Sequence, residues 1–276
     1  MRDSECVGFL QWYLPRLGLR WAGFRKVRGT VCKRIARRIR ALGLADLAAY
    51  RGYLADHRAE WEHLETLCRI PISRFWRDRA VFEWLAAEGL PERAALAAER
   101  NQPVVRLWSA GCASGGGEAY SLRIAWSQRA EAVSPSVRPE ILATDAEQQM
   151  IARAKAARYS KGSVRELPPD LRSRAFDRDG DGFVLRDAMK TDVAFLQQDL
   201  RRSWPGGPFD LICCRNTAFT YFDAHGQRQV LDRLAERLQP DGLLIVGGHE
   251  TLPGDDARFS RVANALPVYR RGPSGP

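Results

Sequence analysis

No stretch of the 276 residues reaches the roughly 18 uninterrupted apolar residues of a membrane-spanning helix. The N-terminus lacks a basic segment followed by an apolar run, so neither a membrane span nor a secretory leader is expected, and a cytoplasmic location is. The six cysteines contain no C-x-x-C pair and sit in apolar runs, which predicts reduced thiols acting as small hydrophobes. Four histidines (His57, His63, His225, His249) have no metal-ligand spacing, so no metal is expected. With 45% hydrophobic and 28% charged residues, the composition excludes disordered, collagen-like and disulfide-scaffold classes. The length allows one large domain or two modest ones.

Acidic residues are missing from one long stretch. Between Cys6 and Ala45 there is none, against ten basic residues: Arg16, Arg20, Arg25, Lys26, Arg28, Lys33, Arg34, Arg37, Arg38 and Arg40. The net charge is 43 − 33 = +10, so this segment carries the whole excess. A local positive face predicts an acidic protein surface or another polyanion as partner. Within it Val31, Ile35, Ile39 and Leu42 form one apolar stripe with Lys33, Arg34, Arg37 and Arg40 off it, the pattern of an amphipathic helix. Gly43 ends that helix and Asp46 caps the next, where Leu47, Tyr50, Tyr53 and Leu54 share a face. Trp61, Leu64 and Leu67 mark a third helix, broken at Pro71, and Ala80 to Ala87 a fourth. Residues 1–88 therefore read as an N-terminal helical domain, and the alanine-rich, proline-flanked residues 89–103 as a linker.

From residue 104 the texture changes. The apolar run Val104 to Trp108 meets a glycine-rich turn, Gly111 to Gly117, followed by helical period from Glu118 to Arg129. Strands are expected at Glu140–Asp145, Phe209–Cys214 and Gly242–Gly247, and helices at Glu147–Ala157 and Gln227–Leu238. Short apolar strands alternating with helices imply an α/β fold with a mainly parallel, doubly wound sheet over 104–276. Between Tyr159 and Lys190 the alternation stops, with an insert at about 172–190. There Asp179-Gly180-Asp181-Gly182, between short apolar runs, predicts an antiparallel hairpin insert. Asp177 to Gly182 also copies the opening of a calcium loop, but its twelfth position is Ala188, and a polar hairpin tip is the better reading.

A glycine loop after a first strand, with an acid ending the second, suits either a nucleoside lying across the carboxyl ends of a parallel sheet or a structural turn. The loop is Gly111-Cys112-Ala113-Ser114-Gly115-Gly116-Gly117-Glu118 and the acid is Asp145. Glu118 would repel a pyrophosphate but suits an amino group, so S-adenosylmethionine, with amino group, sulfonium and ribose, fits better than NAD. Arg77, Arg215 and Tyr221 stand near strand ends or breaks, and guanidinium groups bind carboxylates bidentately.

Several ordered strings resemble the CheR-type chemoreceptor glutamate methyltransferases over about residues 20–271. They are Arg74-Phe75-Trp76-Arg77-Asp78, Ala110 to Gly115, Ala143-Thr144-Asp145, Phe209 to Asn216 with Tyr221-Phe222-Asp223, and Gly247-Gly248-His249-Glu250. The resemblance implies an all-helical N-terminal domain, a Rossmann-like methyltransferase domain with a small antiparallel β insert, and methyl transfer from S-adenosyl-L-methionine to receptor glutamates, leaving S-adenosyl-L-homocysteine. It places Ser73, Arg77, Gly111, Glu118, Asp145, Asp199, Leu200, Arg215 and Asn216 around the cofactor. Arg77, Arg215 and Tyr221 would stand at the transferring methyl. Three departures accompany it: Pro71 stands where the family has asparagine, the glycine loop has one extra residue and lacks one of two paired glutamates, and Arg215 to Tyr221 is one residue longer.

The implied partner is an acidic protein surface such as receptor helices, docked on the basic N-terminal helix, with no membrane insertion. Nucleic acid is disfavoured, because no aromatic platform interleaves with the arginines. Two alternatives stand beside this: the same cofactor chemistry on another protein, peptide or small-molecule acceptor, and a noncatalytic nucleoside-binding docking module.

Overall fold

The computed structural model describes residues 2–70, 74–112, 115–262 and 265–273. Two compact units emerge, one from residues 1–70 with 220–227 and the other from 71–219 with 228–276.

The first unit is helical: α1 (Asp3–Tyr13), α2 (Trp21–Phe24), α3 (Arg28–Ala41), α4 (Leu47–Asp56) and α5 (Arg58–Cys68). The expected stripe of α3 does the packing, since Val31, Ile35 and Ile39 are buried with Phe9, Leu10, Tyr50, Leu54 and Leu64. The punctuation also holds. Gly43 turns at φ +68° after α3, and the Asp46 carboxylate accepts the Ala49 N–H at 2.8 Å to cap α4. Residues near 220–227 close the unit by backbone pairing: Arg20 donates to the Tyr221 carbonyl at 2.9 Å and Asp223 to the Gly18 carbonyl at 2.8 Å.

One expectation about cysteine fails. Cys6 of α1 and Cys32 of α3 form a disulfide, because packing these two helices brings Cα atoms 26 residues apart in sequence to within 6.0 Å. Cys68, Cys112, Cys213 and Cys214 are free and buried.

In the second unit the boundaries expected at 88 and 103 dissolve. Helix α6 (Arg79–Trp84), a π-helical turn (Leu85–Gly89) and α7 (Leu90–Glu99) run on from one another. Phe75, Trp76, Phe82, Leu85, Leu90 and Ala94 are buried in the core that also holds the sheet. The supposed linker is thus a packed helix, anchored where buried Arg93 donates to the Asp241 carbonyl at 2.8 Å. Its alanines and charged residues read as a linker, but Leu90, Pro91, Ala94 and Ala97 are buried.

The sheet follows in chain order: β1 (Val104–Ala110), α8 (Gly117–Val133), β2 (Arg138–Asp145), α9 (Gln148–Ala156), β3 (Arg158–Ser160), α10 (Pro169–Ala175), β4 (Phe176–Asp179), β5 (Gly182–Leu185), β6 (Val193–Gln197), β7 (Phe209–Cys213), α11 (Ala218–Tyr221), α12 (Ala224–Arg237), β8 (Leu238–Ile245), β9 (Phe259–Arg261) and β10 (Val268–Arg271). Seven strands lie in the order β6-β2-β1-β7-β8-β10-β9, the first five mutually parallel, β10 antiparallel to β8, and β9 antiparallel to β10. The hairpin β4–β5 turns at Gly180, φ +56°, as expected, and β3 adds a third strand to it. Because β1 lies between β2 and β7, the chain reverses its direction of travel across the sheet beside β1. Loops at the carboxyl ends of those strands diverge there and leave a crevice, the general ligand position in such sheets.

Candidate functional site

The loops at the carboxyl ends of four neighbouring strands collect most of the expected site residues. After β1 the chain turns at Gly111, φ +74°, and its N–H and that of Cys112 both donate to the Thr144 carbonyl of β2, at 2.9 and 2.8 Å. A side chain at Gly111 would meet Thr217 at 2.6 Å, and one at Gly116, φ +67°, would meet the Phe195 ring at 2.7 Å. These glycines are therefore demanded by both backbone and neighbours. Ala113, Ser114 and Ser73 lie outside the described residues.

Glu118 enters the first turn of α8 half-buried. Its Oε1 accepts the buried Ser109 hydroxyl at 2.7 Å and its Oε2 accepts Nη1 of Arg215 at 2.8 Å. Asp145 ends β2, with Oδ1 accepting the Glu147 N–H at 2.9 Å and its carbonyl accepting the Gln198 N–H at 2.9 Å. Since Asp145 is in register with Gln197, the turn containing Asp199 and buried Leu200 leaves the sheet beside it. Asp199 folds back on Arg201, whose guanidinium it holds at 2.7 and 3.1 Å.

After β7 the segment bearing Arg215 and Asn216 is fixed by carboxylates that the sequence reading gave no role. Glu250 accepts the N–H groups of Asn216, at 2.8 Å, and Gly247, at 2.6 Å, with one oxygen. Asp78 accepts Nη2 of Arg215 at 2.7 Å and the Gly248 N–H at 3.3 Å. Both carboxylates sit within the strings that carried the family resemblance, which was the available signal. Gly247 lies three residues before Glu250, but the other partners lie 34 to 170 residues away and could not be read from spacing.

The Arg215 side chain is 2% exposed, and besides its two carboxylates it donates to the Arg77 carbonyl at 2.6 Å. The Phe82 ring lies 5.2 Å from its guanidinium carbon. Burial works against this charge, but Glu118 and Asp78 outweigh burial and hold the pKa raised. Burial would likewise raise the Asp78 carboxyl, and the Arg215 charge overrides it, leaving Asp78 below the usual carboxylate range. An Arg215 clamp open to an acceptor carboxylate, as the sequence suggested, is not what forms. Both terminal nitrogens are committed inside the protein.

Arg77 is half-buried one residue before Asp78, at the same loop cluster. Tyr221 is not among these residues. It belongs to the first unit, where its ring packs on Phe24 at 5.0 Å between centroids.

The donor set suits S-adenosylmethionine. Glu118, in the first turn of the helix that follows β1, can accept from an ammonium, and Asp145, at the end of the neighbouring parallel strand β2, from ribose hydroxyls. Nε of Arg215, buried and without a hydrogen-bond partner among the described residues, offers a further donor at the same place. An orphan of this kind is costly unless a ligand or water meets it.

Comparison with known proteins points to the same cofactor. The family described as CheR methyltransferase, SAM binding domain, matches residues 72–266, and that described as CheR methyltransferase, all-alpha domain, matches residues 26–66. A chemotaxis protein methyltransferase of Salmonella typhimurium is 32% identical over 268 residues, covering 94% of this chain and 88% of that one. One of Escherichia coli is 30% identical over 241 residues, covering 84% and 80%. An uncharacterized 104.1 kDa protein of Rhodobacter capsulatus is 32% identical over 224 residues, 81% of this chain, although the match spans only 23% of that longer protein. With 195 of its residues inside the matched methyltransferase region and relatives of this kind over most of its length, the chain belongs to the CheR methyltransferase family, whose methyl donor is S-adenosylmethionine.

Proposed function

We propose that the protein transfers methyl groups to glutamate carboxylates of a chemoreceptor-like protein. The observation that carries this reading is the ordered likeness, over nine-tenths of the chain, to a protein named as a chemotaxis methyltransferase.

S-adenosylmethionine, when bound, supplies an electrophilic methyl on a sulfonium. A glutamate with its ordinary pKa of about 4.3 is already an anion at neutral pH, so no general base is needed. The protein's work is to hold the two partners in line, worth several kcal/mol in effective concentration. Glu118 accepts the cofactor's amino group and Asp145 its ribose hydroxyls, with Asp199 and Leu200 on the adenine side and Gly111 and Asn216 forming loop walls. Arg77 orients the acceptor carboxylate. That hold has to be loose, because the attacking oxygen loses charge as its bond forms. Arg215 acts from within the wall of the site.

The exposed cations of α3, Lys33, Arg37 and Arg40, share one helical face at i, i+4 and i+7. None of the three has an ion pair among the described residues, and they suit docking on an acidic receptor surface. Arg34 and Arg38 do not join them. Arg34 donates to the Leu67 and Arg69 carbonyls, and Arg38 holds buried Glu60 at 2.6 and 2.9 Å.

The test is incubation with methyl-labelled S-adenosylmethionine and receptor-containing membranes. Base-labile label on a receptor-sized band is expected, as from a methyl ester. Base-stable label, or label confined to small molecules, would transfer the reading to another acceptor, for which the lengthened Arg215 to Tyr221 segment is the reason to look.

A further inference from the structure

The geometry points to Asp78 as a positioning residue that sets the charge of the cofactor site through Arg215. This rests on the reading that Glu118 receives the cofactor's amino group.

Asp78 stands immediately before α6, where an aspartate ordinarily spends its carboxylate capping its own helix. Here no side-chain cap forms. The residue also sits at φ +61° and ψ +63°, a left-handed conformation uncommon for a side-chain-bearing residue. Its carboxylate goes elsewhere, to Nη2 of Arg215 and the Gly248 N–H. A buried arginine needs a balancing charge, but Glu118 alone would supply it.

The count of charges shows what a second carboxylate adds. Asp78, Arg215 and Glu118 together carry −1, whereas Arg215 and Glu118 alone carry none, and neighbouring Arg77, Asp145 and Glu250 add the same to either count. A site of −1 attracts an ammonium, and a neutral ion pair does not. The guanidinium is a rigid planar fork, so Asp78 and the Arg77 carbonyl on one prong also fix the angle at which the other meets Glu118. Asp78 thus shares Arg215 and leaves part of the Glu118 charge for the ligand. In a buried setting that effect acts across the length of a guanidinium.

The experiment compares binding of S-adenosylhomocysteine with that of the same molecule carrying hydrogen in place of its amino group. Asp78→Asn and Asp78→Gly remove the charge, and both residues tolerate φ near +60°, so the backbone can be kept. The expected result is that each variant loses about tenfold of the preference for the amino-bearing ligand. The amino-less ligand should bind as before or tighter, and Asp78→Glu should restore most of the preference. Equal weakening of both ligands would reveal a merely structural role and overturn the proposal. So would an unchanged preference in the Asp78 variants while Glu118→Gln loses it. A preference that survives Glu118→Gln would overturn the Glu118 reading itself, and this proposal with it.

Discussion

At the scale of single residues, the arginines near the site divide into two kinds. Arg215 is buried and spent on Asp78, Glu118 and the Arg77 carbonyl, while the side chain of Arg77 is half-buried at the edge of the same cluster. Arg77→Lys should therefore lower methyl transfer about tenfold or more, at least roughly 1.4 kcal/mol of transition-state stabilisation, because one ammonium cannot hold a carboxylate bidentately. Thermal stability and S-adenosylhomocysteine affinity should stay near wild type, and wild-type turnover would remove Arg77 from the acceptor site. Asp145→Ala should weaken S-adenosylhomocysteine binding by about 1–3 kcal/mol, measured by calorimetric titration. Unchanged affinity would place the ribose elsewhere. Glu250 and Asp78 and their partners Asn216, Gly247, Arg215 and Gly248 all lay within the recognisable strings, but the pairings could not be read there, because a carboxylate's role depends on which loop the fold brings to it.

Among the elements, α3 does two jobs with one composition. Its arginines looked equivalent off the apolar stripe, yet Arg34 and Arg38 turn inward while Lys33, Arg37 and Arg40 face out. Reversing the outward three to glutamate should slow association with an acidic receptor and flatten its salt dependence, with cofactor affinity unaffected, as stopped-flow mixing at several ionic strengths would show. Lost cofactor binding would contradict the docking role. Arg38 belongs to stability instead. With Tyr50 it holds Glu60, whose pKa is lowered chiefly by the Arg38 hydrogen bond. A depressed carboxyl contributes stability above its unfolded value and loses it as pH falls through the folded value. Urea stability should accordingly drop once pH falls below about 4, and Glu60→Gln should shrink that drop while costing about 1–3 kcal/mol at neutral pH. An identical acid profile in the variant would show that Glu60 is not the group titrating. Helix α7 makes the opposite point: its alanines and charges read as a linker, and only the burial of Leu90, Ala94 and Ala97 reveals a core helix.

For the whole molecule, the chain does not separate where its two units do. Residues 220–227 leave the second unit's sequence to join the first, pairing with Gly18 and Arg20 and packing Tyr221 on Phe24. A fragment of residues 71–276 would retain the whole sheet but leave Tyr221 and Phe222 without these partners. Its melting temperature should fall by about 5–10 °C relative to the full chain, measured by calorimetry. A fragment melting with the intact protein would mean that the segment contributes nothing to holding α11 and α12.

Local pattern was enough for the sequence to determine the α3 stripe, the Gly43 and Asp46 punctuation, the β1–loop–α8 and β2–α9 units and the Asp179–Gly182 hairpin, since each depends on neighbours within a few residues. Ordered motifs were enough to indicate the family. Tertiary structure alone decided that Cys6 meets Cys32, that β6, β9 and β10 extend the sheet, and that Arg215 is gripped by Asp78 and Glu118. Each of these depends on which distant segments share a boundary once the chain is packed. A disulfide, an edge strand's hydrogen bonds and a buried ion pair all take their energy from a partner that proximity in sequence does not specify.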